Sequence, residues 1–244
     1  MAKQRIASPQ PTSRADALRK IQILDGTALK LIALVSMVLD HVGDLFFPEQ
    51  IWMRAVGRLA MPIFCFCVAE AYIHTRDRRA YLERLALFAL ISELPFDFAF
   101  SGGIDLTQQN IMFTFALAVV ALMAYDYLYE RQKGGWRGVV VGSIAVAAIG
   151  LLSILLGANY NFTAVGLVFV FYVLREQDAF IRNAAAVAFE ALVRNVGIYR
   201  WGVLSFFPLM MYNGKRGRGL KLFFYPFYPG HMLVLALLKM LLTR

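Results

Sequence analysis

The chain has 244 residues, 59% of them hydrophobic and only 17% charged, with a mean hydropathy of +0.59. Soluble chains run about 45–50% apolar and about 25% charged, so a water-facing globule is excluded. Lys and Arg (25) outnumber Asp and Glu (16); basic loops of a membrane protein account for that excess, and no nucleic-acid partner is expected.

Residues 1–22 are polar and basic, with two prolines and no apolar run. They read as a flexible or surface-lying cytoplasmic arm, and no cleavable signal peptide is evident. The remainder, 23–244, reads as one all-α domain, a polytopic membrane helical bundle. A span takes about 20 mostly apolar residues. Blocks at 28–47, 55–73, 85–100, 111–129, 138–156, 160–174, 180–194, 198–212 and 222–242 predict 8–9 transmembrane helices, with 180–194 the weakest because Glu190 interrupts it.

Loop charge predicts the orientation. Arg76, Arg78, Arg79 and Arg84, then Arg131, Lys133 and Arg137, then Arg175 with Arg182, and finally Lys215, Arg216, Arg218 and Lys221 mark one side. The intervening connections 101–109 and 157–159 hold no Lys or Arg, and 48–54 holds only Arg54. This alternation predicts a multi-pass protein of the bacterial inner membrane with its N-terminus in the cytoplasm.

An ionisable side chain at the centre of a span costs roughly 2.5–3.5 kcal/mol on insertion scales, and such residues mark cavities, partners or substrates. The first span holds Lys30, Asp40 and His41, the second Arg58 and Glu70, the third Glu93 and Asp97, and the last His231. Lys30 and His41 are eleven residues apart, close to three helical turns, which puts them on one face about 16 Å apart. That spacing suits an elongated anionic ligand entering from the cytoplasm. Asp40 points about 100° away from His41, so a carboxylate orienting the imidazole is expected from another helix. Pro62 in GRLAMPIF (57–64) and Pro95 in SELPFDF (92–98) predict two broken helices with a cavity between them. Glu70 lies four residues before His74, near the cytoplasmic end. Gln109 and Asn110 open the fourth span, where an amide reads equally well as a helix cap. NGKRGRG (213–219) is a glycine-interleaved basic loop suited to phosphate, or an ordinary basic loop. Cys65 and Cys67 read as packing residues, and no metal-ligand spacing is present.

No Walker A, G-x-S-x-G or H-E-x-x-H pattern occurs, which disfavours ATP-driven transport, a lipase-type nucleophile and a zinc protease.

LKLIALVSMVLDHVG (29–43), GRLAMPIF (57–64), the His74–Arg76 turn, SELPFD (92–97), QN (109–110), YNGKRG (212–217) and FYPFYPGH (224–231) together resemble the TraX family of conjugative transfer systems. The resemblance covers about 24–242. A wider similarity to transmembrane acyltransferases includes Leu24-Asp25-Gly26 and His41, with Lys30 where those proteins carry arginine. The resemblance implies N-terminal acetylation of a pilin subunit, with acetyl-CoA as donor. It implies Lys30, Lys215, Arg216 and Arg58 around the donor's phosphates, and His41 beside Asp40 at the reacting centre. His231 or Asn110 would polarise the thioester, and Glu70, Glu93 and Asp97 would line the cavity. An envelope-glycan acceptor, or a non-enzymatic role in transport or pilus assembly, are the competing expectations.

Overall fold

Asp25 starts the first helix: its carboxylate accepts the Ala28 N–H at 2.8 Å and caps α1 (Gly26–Phe46). The computed structural model describes residues 20–242 apart from 195 and 220; the arm expected over 1–22 lies, up to residue 19, outside the described residues. After α1 the chain returns through α2 (Ile51–Gly57) and α3 (Ala60–His74). It then runs through α4 (Arg78–Phe100), α5 (Ile111–Arg131), α6 (Gly135–Leu155), α7 (Asn161–Val173) and α8 (Ala179–Arg194). A 3₁₀ segment (Gly197–Ser205) and the short α9 (Phe206–Met210) lead back to α10 (Lys221–Leu242). Isolated bridges join Leu24 to Tyr212 and Gln109 to Ala158, and no strand occurs among the described residues.

Among the described residues, four stretches are long and apolar enough to cross a membrane: Ile51–His74, Ile111–Arg131, Gly135–Leu155 and Phe223–Leu242. The other five expected spans, at 28–47, 85–100, 160–174, 180–194 and 198–212, are not among them, and two of these also differ in shape. α7, with 13 residues, rises only about 20 Å, short of the roughly 30 Å hydrocarbon layer. It is a core element instead, with Ala164, Val165, Leu167, Val168 and Phe171 nearly inaccessible. The block expected at 198–212 is mostly a 3₁₀ segment rather than one long α-helix.

The core lies where α3 crosses α7. Ile63, Cys65, Phe66, Ala69 and Tyr72 are buried around much of the α3 circumference, as expected for a helix enclosed by others. α6 packs along α5, and α10 along α4. Both outer helices turn apolar side chains outward, among them Ile144, Leu151 and Leu155 on α6 and Leu233, Val234, Leu237 and Leu241 on α10.

The two ends of the bundle are tied differently. At the end bearing the start of α1, Asp126 accepts from Tyr72 (2.8 Å), Tyr172 (2.5 Å) and Arg78 (2.6 Å), joining α3, α7, α4 and α5. Basic segments around Arg78, Lys133, Arg175 and Lys215 belong to this end. At the other end the Gln109 N–H meets the Gly157 carbonyl at 2.9 Å, and Lys239 Nζ donates to the Ala99 carbonyl at 2.8 Å.

Proline does less than its sequence position predicts. The second pass breaks at Arg58–Leu59, and Pro62 falls in the first turn of α3, where a missing N–H costs no intrahelical bond. α4 continues through Pro95, so the third pass is not broken.

α1 and α2 touch backbone to backbone. A Cβ on Gly57 would stand 2.2 Å from the Asp40 Cβ and 2.7 Å from its Cα. Gly57→Ala is therefore expected to destabilise the fold by about 1–3 kcal/mol through overpacking. The thermal midpoint of the purified variant checks this, and an unchanged midpoint would contradict the close approach.

Candidate active site

Near the far end of α1, two imidazoles meet. His41 Nδ1 lies 3.1 Å from His231 Nε2, and the rings are almost parallel, at 7°. His231 Nδ1 lies 3.0 Å from the Phe227 carbonyl, one turn earlier on α10. A carbonyl oxygen only accepts, so His231 Nδ1 carries the hydrogen. In the neutral ring its Nε2 then holds the lone pair and accepts from His41 Nδ1–H. The chain of bonds ends at His41 Nε2, which keeps its own lone pair. Aromatic rings enclose the dyad: Phe227 stacks on His231 with centroids 5.2 Å apart, and Phe100 meets His41 edge-on at 5.4 Å. The carboxylate expected beside His41 is therefore replaced by a second histidine, itself set by a backbone carbonyl. His231 has both nitrogens engaged, so it is an orienting group rather than a polariser of a carbonyl.

The register of α1 follows the helical period. Lys30 Nζ lies 5.7 Å from the Phe224 ring centroid, and Phe224 precedes His231 by seven residues, two turns of α10. The Lys30–His41 face of α1 is thus turned to one face of α10.

Asp40 is buried and bound by two arginines. Its Oδ1 accepts from Arg54 Nε at 2.9 Å and its Oδ2 from Arg58 Nη2, while Arg54 Nη1 reaches Asp44. Side-chain exposure is 10% for Asp40 and 6% for Arg58, so this is a desolvated ion pair that holds α1 to the α2–α3 break. A cavity of about 40 Å³ adjoins it, lined by Asp40 and His41, by Met61 and Phe64 of α3, by Ile111 and Phe115 of α5, and by Asn159, Tyr160 and Tyr228. Tyr160 (φ 57°) and Asn161 (φ 31°) are left-handed, a conformation that costs non-glycine residues energy and gathers at functional sites. Thr114 Oγ1 donates to the Asn159 carbonyl and holds this turn.

At the basic end, the loop after α9 folds onto the start of α1. The Gly26 N–H donates to the Lys215 carbonyl at 2.8 Å, and Thr27 Oγ1 to the Arg218 carbonyl at 2.7 Å. Gly217, at φ +72°, lies so close that a Cβ would stand 2.5 Å from the Asp25 carboxyl carbon. Lys215 and Arg216 are left exposed around the first turn of α1, where the two cations favour an anion; the Gly26 and Ala28 N–H groups are already bound to the Lys215 carbonyl and the Asp25 carboxylate. Glu70 supports this end: its carboxylate accepts from Tyr212 Oη at 3.1 Å and faces His74 Nε2 at 3.5 Å.

The other expected site residues serve the opposite loop. Asn110 caps α5 through the Met112 N–H at 3.0 Å, its amide nitrogen donates to the Ala89 carbonyl at 2.8 Å, and it also donates to Glu93. Asp97 accepts the Asp105 N–H at 3.1 Å. Hydrogen bonds from Thr107, then Ser101, hold the Asp105 carboxyl below the usual carboxylate range. Glu93, Asp97 and Asn110 do not line the cavity. Arg58 does not join Lys215 and Arg216, because Asp40, its partner, lies about 22 Å along α1 from the helix start. Arg54 and the turn at Tyr160 are the additions that the structure makes.

The chain matches the family described as TraX protein over residues 25–239. It belongs to the TraX family. A TraX protein from Escherichia coli is 28% identical over 167 residues, 68% of this chain and 62% of that protein. TraX of Escherichia coli K12 is 31% identical over 134 residues, 54% and 49% respectively. A probable fimbrial assembly protein, FimC of serogroup H1, from Dichelobacter nodosus is 38% identical over 107 residues, 39% of this chain and 44% of that protein. The chain thus spans about half the length of the curated relatives it matches. No solved structure matches it.

Proposed function

We propose that this TraX-family chain is a membrane-bound acetyltransferase that moves acetyl from acetyl-CoA to the N-terminal amine of a pilin subunit. Its passes through the bacterial inner membrane would leave the N-terminus and the basic end in the cytoplasm, where the donor is. The names of the relatives, TraX and a fimbrial assembly protein, support a pilus context. The single observation that carries the chemistry is the His41–His231–Phe227 chain of hydrogen bonds beside a small interior cavity.

Lys215 and Arg216, beside the first turn of α1, hold the donor's phosphates, and Lys30 follows one turn deeper. The Lys30–His41 face leads the thioester towards the cavity. The acceptor amine attacks the thioester carbon as His41 Nε2 takes its proton. The new N–C bond forms, the C–S bond breaks, and His41 Nε2 passes the proton it took to the leaving thiolate, which restores the neutral ring. His231 keeps His41 in the tautomer with a free Nε2. Asp40, held between its arginines, fixes the wall of the cavity.

The test uses the full chain in phosphatidylcholine nanodiscs with labelled acetyl-CoA and a peptide carrying a free α-amine. Label should pass to the peptide, and not to the same peptide with a blocked amine. Equal labelling of both, or none of either, would overturn the assignment. In this assay His231→Ala is expected to lower kcat about ten- to a hundredfold, as loss of an orienting partner does elsewhere, and to leave the KM for acetyl-CoA unchanged. A raised KM with unchanged kcat would assign His231 to donor binding instead.

A further inference from the structure

Arg194, at the end of α8, lies with its guanidinium carbon 3.9 Å from the Tyr199 ring centroid and 4.5 Å from that of Tyr160. Arg58 approaches the same two rings, at 5.3 Å and 5.9 Å. The two arginines differ in their counter-charge. Arg58 spends Nη2 on Asp40, yet its Nε is buried and has no hydrogen-bond partner. Arg194 makes no ion pair among the described residues and remains partly exposed. Three cations (Arg54, Arg58 and Arg194) gather here; Asp40 and Asp44 pair with Arg54 and Arg58, and Glu190 feels the charge of Arg194 from beyond ion-pair distance. Glu190, one turn before Arg194, is buried against Gly202: a Cβ there would stand 2.0 Å from its Oε1. A buried N–H without a partner costs free energy unless a ligand supplies an acceptor, and planar guanidiniums between aromatic rings suit carboxylate recognition.

We infer that Arg194, Arg58 Nε and the rings of Tyr160 and Tyr199 form a subsite for a carboxylate on the acceptor, next to the amine that is acetylated. This rests on the acetyltransferase reading. Tyr160 and Asp40 belong both to the cluster and to the cavity that His41 lines, so a carboxylate held there sits beside the reacting centre. It lies at the end of α1 opposite the donor loop, so acceptor and donor enter from opposite ends. An acidic peptide is favoured over a lipid headgroup because Arg58 is only 5% exposed. A side chain on a slender backbone reaches it, whereas a two-tailed lipid would have to enter the bundle.

Two peptides with free amino ends, one with Asp and one with Asn at the third position, are offered to the full chain in phosphatidylcholine nanodiscs with acetyl-CoA. Binding of their N-acetylated forms is measured in parallel without donor. The wild-type protein should favour the Asp peptide about tenfold, both in kcat/KM and in Kd. Arg194→Gln should bring both ratios to about one, while Arg200→Gln, which removes a nearby arginine stacked on Trp201, should leave them at about ten. Transfer to both peptides without preference overturns the subsite and leaves the acetyltransferase reading standing. Absence of any transfer overturns that reading, and the Kd ratio then judges the subsite by itself. A wild-type response to phosphatidylglycerol in the nanodisc but not to the Asp peptide would make this a headgroup site and overturn the proposal.

Discussion

His41→Ala is expected to lower the turnover of acetyl transfer by about 10³-fold, within the range that a positioned general base contributes. Its hydrogen bonds explain the size of the loss. No other described side chain of the cavity offers an imidazole, and His231 has one nitrogen on the Phe227 carbonyl and the other towards His41. Donor binding should survive, because the basic loop proposed to hold the donor's phosphates packs on the first turn of α1, about four helical turns from His41. Transfer rate and acetyl-CoA affinity, measured on one nanodisc preparation, check both statements. A variant with wild-type turnover would remove His41 from the reaction.

The second large effect concerns stability. Asp40→Ala would leave Arg58 with an uncompensated buried charge, which costs about 3–5 kcal/mol where such pairs have been broken. For a chain of this size that lowers the thermal midpoint by roughly 10 °C. Joint replacement, Asp40→Leu with Arg58→Met, removes both charges and should recover most of the loss, since apolar substitutes for a buried pair are often neutral or better. Arg54 keeps Asp44 as its partner in that variant. Midpoints of the three proteins in one detergent test this. Equal midpoints for wild type and Asp40→Ala would show that water reaches the pair.

What could be read from the sequence divides by range. Helical period alone puts Lys30 and His41 on one face, and α1 keeps that register against Phe224 and His231. Capping is just as local, and Asn110 proves to be the cap that its position at a helix start allows. The partner of His41 was not legible, because it stands 190 residues away on a helix whose packing no local pattern reveals. Asp40 shows the same limit. Its position within α1 turns it away from His41, but its arginines lie across the turn, and only the path of α2 brings Arg54, the single basic residue of 48–54, to it. Glu93 and Asp97 stand away from the cavity for another reason. Intramembrane carboxylates imply a polar cavity, yet these two take hydrogen bonds from Asn110 and Asp105 at a loop. Span lengths failed where hydropathy was the sole guide: the apolar block at 160–174 is a short core helix, and the block at 198–212 winds as 3₁₀.

The central claim is acetyl transfer to pilin at His41, and the intact mass of mature pilin tests it most directly. Pilin from cells carrying the wild-type chain should be heavier by one acetyl group, located on the N-terminal residue. Pilin from cells carrying His41→Ala, at equal membrane abundance, should lack it. Full acetylation in the His41→Ala cells would contradict the account.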